Sequence, residues 1–203
     1  MDQREDLFQG YTSAGSLDFN REKGKLAVSY MLRAAGLILF GLLFVGFARL
    51  THPQMETGIA ALINIEIVGV PALVSILLVV IDVAFVLALH ELVHAAVFFV
   101  DQQAPPKIGI RGLVIYAAAP GYLNSRRAMV INGMAPFTVI SLIGLLLIAV
   151  TPVSVLSWVF IPVVINAAAA GGDFMIINWL MRQPAQAVFE DTGDTLTVYL
   201  PKD

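Results

Sequence analysis

The chain has 203 residues, of which 58% are hydrophobic and only 13% charged, with a net charge of −3. So apolar a composition excludes an ordinary soluble domain and points to several membrane passes, and the lack of any basic tract argues against nucleic acid as a partner. There is no cysteine, which excludes disulfides and thiolate metal ligands.

In chain order, residues 1–28 are polar and of mixed charge. They lack the apolar middle of a secretion signal and read as a loosely held surface arm. A first span is predicted over 29–50. Its uncharged centre, Ala34 to Ala48, is short for a bilayer core of about 20 residues, and Arg33 and Arg49 can extend it by reaching to the two interfaces. Residues 51–70 are apolar but interrupted by Asn64 and Glu66, which suits an interfacial or re-entrant piece. His52 sits there, next to Pro53, with an interfacial role or a place in a metal site as its alternatives. A second span covers 71–100 and carries Asp82, which has either a partner on a neighbouring helix or a water path to line.

The 104–118 connection opens on Pro105-Pro106 and continues with Lys107-Ile-Gly-Ile-Arg, alternating and rich in β-branched residues, which predicts a strand or hairpin. A third span follows over 128–150, with Asn132 and Pro136 in its first turns. A fourth is predicted over 153–181, stopped by Pro184. Residues 187–203 hold two strand-like runs around Asp191-Thr-Gly-Asp194 and read as a small hairpin. The fold class expected is an α-helical polytopic membrane protein, one membrane-embedded domain over 1–203, with about four transmembrane helices. Lys and Arg concentrate in the N-terminal arm, in the connection between spans two and three, and in the tail, whereas the two other connections hold only Arg49. By the positive-inside rule this predicts a multi-pass protein of the cell membrane with both termini in the cytoplasm.

The second span contains His90-Glu91-Leu-Val-His94. On a helix, residues four apart stack on one face, so His90 and His94 can grip one ion together, while Glu91, about 100° around, reaches a water on that ion without ligating it. Two imidazoles and one further ligand suit Zn²⁺ and leave a position open. Histidine and glutamate are costly at membrane depth, where they are functional by default. The third ligand follows from depth. His90 lies about 24 Å into the second span and Asp173 about 30 Å into the fourth, at ~1.5 Å per residue and in the same direction of travel. Asp173 is therefore the expected third ligand, the alternative being a carboxylate paired with Arg182 or held neutral. Gly171-Gly172 would let that helix approach closely. Asn166, two turns before Asp173, has two readings: a hydrogen bond to a substrate carbonyl or oxyanion, or a bond between helices.

Together His90-Glu91-Leu-Val-His94, Arg127 with Met134-Ala-Pro-Phe137, Gly171-Gly172-Asp173 and Arg182-Gln-Pro184 resemble a bacterial family of zincin peptidases of unknown role. In motif order they also resemble intramembrane metalloproteases of the site-2 protease type. The resemblance spans about Val80 to Tyr199 and implies His90, His94 and Asp173 as zinc ligands with Glu91 as the catalytic carboxylate. The pattern departs at Phe174, where site-2 proteases usually have Gly, and at Asn166, which no Pro follows. The expected activity is zinc-dependent hydrolysis of a membrane or membrane-proximal peptide. The rival readings are a non-enzymatic zinc-binding protein for sensing or assembly, and a small transporter using Asp82, Glu91 and Asp173.

Overall fold

The computed structural model describes residues 8–18, 23–55, 58–111, 114–193 and 195–202. Arg4 and Arg21 of the polar arm, and Asp194 of the tail turn, lie outside the described residues. The elements run β1 (Tyr11–Asp18), α1 (Lys23–Thr51), α2 (Ala60–Ile63), α3 (Ala72–Gln102), β2 (Lys107–Arg111), β3 (Val114–Ser125), α4 (Arg126–Val150), a 3₁₀ turn (Val153–Val155), α5 (Ser157–Ala169), α6 (Gly171–Met181), β4 (Val188–Asp191) and β5 (Thr195–Pro201). Among the described residues, four helical stretches are long and apolar enough to cross a membrane: Leu26–Thr51, Ala72–Gln102, Arg126–Val150 and Ser157–Met181. The fourth is two helices, broken at Ala170, where one continuous span was expected. The chain divides into two compact units, with α3 and α4 running through both.

One unit comprises Met31–His90 and Pro136–Gly171. Its core is Phe44, Ala48, Leu62, Ile148, Leu156, Phe160, Val163, Val164 and Ala167. Small residues set the helix spacing, as expected where lipid leaves packing alone to hold helices together. A Cβ on Gly36 would lie 3.4 Å from Ala168 Cα, and one on Gly144 would lie 2.5 Å from the Val163 methyls. The outward faces stay apolar: Ile38 and Leu42 are each 66% exposed and Leu146 69%. Such faces suit lipid and would be a liability in water. His52 is buried, and its Nε2 bonds the carbonyl of Ile148 at 2.7 Å, joining the ends of α1 and α4. Asp82 lines an apolar cavity with Ile67, Leu78, Phe85 and Trp158.

The other unit comprises Met1–Tyr30, Glu91–Ala135 and Gly172–Asp203. All five strands lie in it as one antiparallel sheet, ordered β1-β5-β4-β3-β2. The two hairpins expected separately are thus parts of a single sheet. Tyr11–Asp18, expected as loose arm, is its edge strand, paired from Tyr11↔Pro201 to Asp18↔Thr195. β3 pairs with β2 at one end and β4 at the other, and its register shifts between Ala119 and Asn124, around Gly121 at φ +80°. The core of this unit is Leu17, Phe98, Met129, Leu180, Phe189, Leu196 and Val198.

Candidate metal centre

α3 is unbroken from Ala72 to Gln102, so His90 and His94 occupy successive turns of one face. Both are buried, at 5% and 8% exposure. An imidazole that is to bind a metal through one nitrogen needs its other nitrogen held. For His94 the holder is Asn132 of α4. Nδ1 lies 2.8 Å from Asn132 Oδ1 and 3.1 Å from the Asn132 carbonyl, while Asn132 Nδ2 donates to the His94 carbonyl at 2.9 Å. That last bond fixes which way the carboxamide points, because its nitrogen must face a carbonyl and its oxygen therefore faces the ring. With Nδ1 donating to that oxygen, Nε2 is the nitrogen turned toward Asp173 and the one a metal would take. His90 has a matching partner: Nδ1 lies 2.9 Å from Asn166 Oδ1. Asn166 is fully buried, and its Nδ2 has no partner among the described residues.

Asp173 stands in the first turn of α6, where the unpaired amides of a helix N-terminus favour an anion. Its Oδ1 is 3.6 Å from His94 Nε2. The donor atoms of His90, His94 and Asp173 all lie within 4.8 Å of one another. Donors about 2.0 Å from a tetrahedral zinc are roughly 3.3 Å apart, so the His94–Asp173 pair is near that spacing and the set would close on such an ion by at most about 1.5 Å. Gly133 of α4 makes room for α6 here. A Cβ at that position would lie 3.2 Å from Ile177 and 3.9 Å from Asp173 Cβ. Arg182, the other partner considered for Asp173, is exposed.

Glu91 is not one of the three grouped donors. Its Oε2 accepts a bond from the amide of Ala117 in β3 at 3.2 Å, which ties the sheet to the helix carrying the motif. Glu91, His94, Asn132 and Asp173 line one cavity of about 160 Å³, together with Asp191 and Thr195 of the β4–β5 hairpin. That volume holds roughly five waters, at ~30 Å³ each, or a short piece of extended chain.

The structure thus groups His90, His94 and Asp173 and puts Glu91 on the cavity that His94 and Asp173 line. It sets Asn166 against His90, which matches the interhelical alternative for its oxygen and leaves its Nδ2 open for the other. His52 makes its bond within the other unit and is not among the grouped donors. Two residues of the site were not anticipated. Asn132 carried a signal, being an amide at membrane depth. Asp191 carried none beyond its place in a turn.

Among known proteins, the model of the family described as "Putative zincin peptidase" matches residues 83–188. That stretch takes in His90, Glu91, His94, Asn132, Asn166 and Asp173, and it ends before Asp191. No curated protein and no solved structure matches the chain.

Proposed function

This chain belongs to that zincin peptidase family, and from this premise we propose that it is a membrane-embedded zinc metallopeptidase of the site-2 protease type. The observation that carries the proposal is the grouping of His90, His94 and Asp173 within 4.8 Å, with a carboxylate that is not a member of the group lining the cavity beside it. A site that only stored or sensed zinc has no need of Glu91.

Zinc bound there would polarise a scissile carbonyl and acidify water near it. The residues do the rest. His90 and His94 present Nε2 because Asn166 and Asn132 hold their Nδ1 protons. Glu91 is positioned to take a proton from the attacking water and return it to the leaving amine. The amide of Ala117 holds one of its oxygens and so limits its rotation. Asn166 Nδ2, buried and without a partner among the described residues, is available to an oxygen that gains charge during attack.

The substrate in this reading is a membrane-spanning or membrane-proximal peptide, locally unwound, because a helix shields its own peptide bonds. β2 is an edge strand of the sheet, with Ile108 and Ile110 exposed, and such an edge can pair with an extended segment. The test is hydrolysis of quenched-fluorescent apolar peptides by the full chain in detergent. Cleavage should be abolished by chelator, and Glu91→Gln should lower it by about a hundredfold or more while zinc stays bound. Full activity in Glu91→Gln removes that carboxylate from the mechanism, and no chelator-sensitive cleavage by the wild type overturns the hydrolase reading.

A further inference from the structure

The cleft at Asp82 lies wholly within the unit Met31–His90 and Pro136–Gly171. On α3, Leu78, Ile81, Asp82 and Phe85 follow the i, i+3, i+4, i+7 spacing that sets side chains on one stripe of a helix. Leu78, Ile81 and Phe85 are between 40% and 60% exposed, so the stripe is a surface and not a core. Val155 of the 3₁₀ turn and Trp158 of α5 help to line the same cleft, whose volume is about 720 Å³. Water would fill that room with roughly two dozen molecules at ~30 Å³ each, but hydrocarbon walls offer them few partners.

Asp82 is the misfit of this stripe. Among the described residues it has neither a hydrogen bond nor an ion pair. In the candidate span Ala72–Gln102 it lies about 15 Å beyond Ala72, at ~1.5 Å per residue. That is near the middle of a hydrocarbon core of ~30 Å. A carboxylate at such depth is costly and takes a cation or a hydrogen-bond donor as partner. Lipid tails would cover Leu78, Ile81 and Phe85 but give Asp82 nothing. An amine on a lipid headgroup stays at the interface, about 15 Å away. A second copy of this chain, packed across a two-fold axis, would set Asp82 against Asp82, and like charges repel. A different helix lying along the stripe covers its apolar residues and can carry a donor at any depth. Phe85 and Trp158 line the cleft beside Asp82, and aromatic faces attract cations.

We propose that the cleft at Asp82 is a docking site for a transmembrane helix of another protein that carries a Lys or Arg near mid-depth. The helix lays its apolar face on Leu78, Ile81 and Phe85, and its cation meets Asp82. Docking there uses no residue of the metal centre and stands apart from the peptidase reading.

The test uses the full chain in phosphatidylcholine vesicles, as Glu91→Gln so that no cleavage consumes the probe. The chain has no cysteine, and Val68, next to Ile67 of the cleft, is fully exposed. Val68→Cys therefore takes a single fluorescent donor. The probes are synthetic single-span Leu/Ala helices bearing an acceptor and either Lys or norleucine at the central position. Energy transfer should show the Lys helix binding about tenfold more tightly, the scale of a strong polar contact between helices. Moving the Lys to one end of the helix should lose that gain. Asp82→Leu should bring the ratio to about one, and Asp82→Asn, which keeps the size, should lower it at least threefold. Equal binding of the Lys and norleucine helices, or none, overturns the proposal, as does a preference that survives in both variants. Energy transfer between two labelled copies of the chain that Asp82→Leu abolishes and the Lys helix does not displace overturns it in favour of self-association. Displacement of the Lys helix by dodecylamine at the same mole fraction overturns it in favour of a single-chain amine.

Discussion

At the scale of the residue, a buried imidazole becomes a ligand only when its second nitrogen has an acceptor, and each histidine of the motif finds a carboxamide oxygen. The spacing of His90 and His94 is local and could be read directly, because a helix fixes it. Their partners could not be read in the same way. Asn132 and Asn166 lie 38 and 76 residues from the histidines they hold, and no periodicity connects them. Asp191 was hidden for a different reason: Asp-Thr-Gly is also what a plain turn requires. Its chemistry has a consequence for stability. The carboxyl rises to about 6 from an ordinary 3.8 because it is buried. Between those values the folded chain holds a proton that the unfolded chain has released, so stability falls as pH rises through this window and stays lower above it. Asp191→Asn removes that loss. The metal-free variant should be more stable than metal-free wild type by about 3 kcal/mol near pH 7.5, and the two should converge below about pH 4. A gap that does not change with pH contradicts the assignment.

At the scale of the element, the long apolar helices were legible because length and hydropathy define them, and α1, α3 and α4 lie close to their expected bounds. The fourth was legible as a span, Ser157–Met181, but its one-residue break at Ala170 was not, since Gly171-Gly172 suit close packing as well as an interruption. Its division at Ala170 puts Asp173 in the first turn of α6 instead of mid-helix. The glycine pair expected to allow close packing does so at Gly171, where a Cβ would lie 2.9 Å from Arg33 N and 3.0 Å from Leu32 C. Those are backbone atoms of α1 and cannot swing aside. Gly171→Ala should therefore cost about 1–3 kcal/mol, read as a lower melting temperature in detergent, and an unchanged melting temperature would show that the helices have slack. β1 was missed because Thr-Ser-Ala-Gly-Ser carries no strand pattern. Its strand state comes from pairing with β5, at the far end of the sequence.

At the scale of the whole molecule, one sheet gathers strands from the N-terminal segment, the connection between α3 and α4, and the tail. A hydrogen-bonded sheet with open edges cannot straddle a bilayer, so if the candidate spans cross one, these three segments share one side of it. They are separated by two candidate spans each, which supports four crossings, and the Lys and Arg distribution supports the cytoplasm as that side. The chain has no cysteine, so single cysteines can report on this directly. In intact cells a membrane-impermeant maleimide should label Gln54→Cys and leave Thr12→Cys and Gln186→Cys unlabelled until the cells are opened. Labelling of Thr12→Cys from outside with Gln186→Cys protected would contradict the shared side. What joins the three scales is the metal centre proposed at His90, His94 and Asp173, and the zinc content of the purified chain tests it most directly. Wild type and Glu91→Gln should each carry about one zinc per chain, and Asp173→Ala and His94→Ala should each carry almost none at the same total zinc. A wild type without zinc, or an Asp173→Ala chain that keeps its full share, would contradict the metal centre on which the account stands.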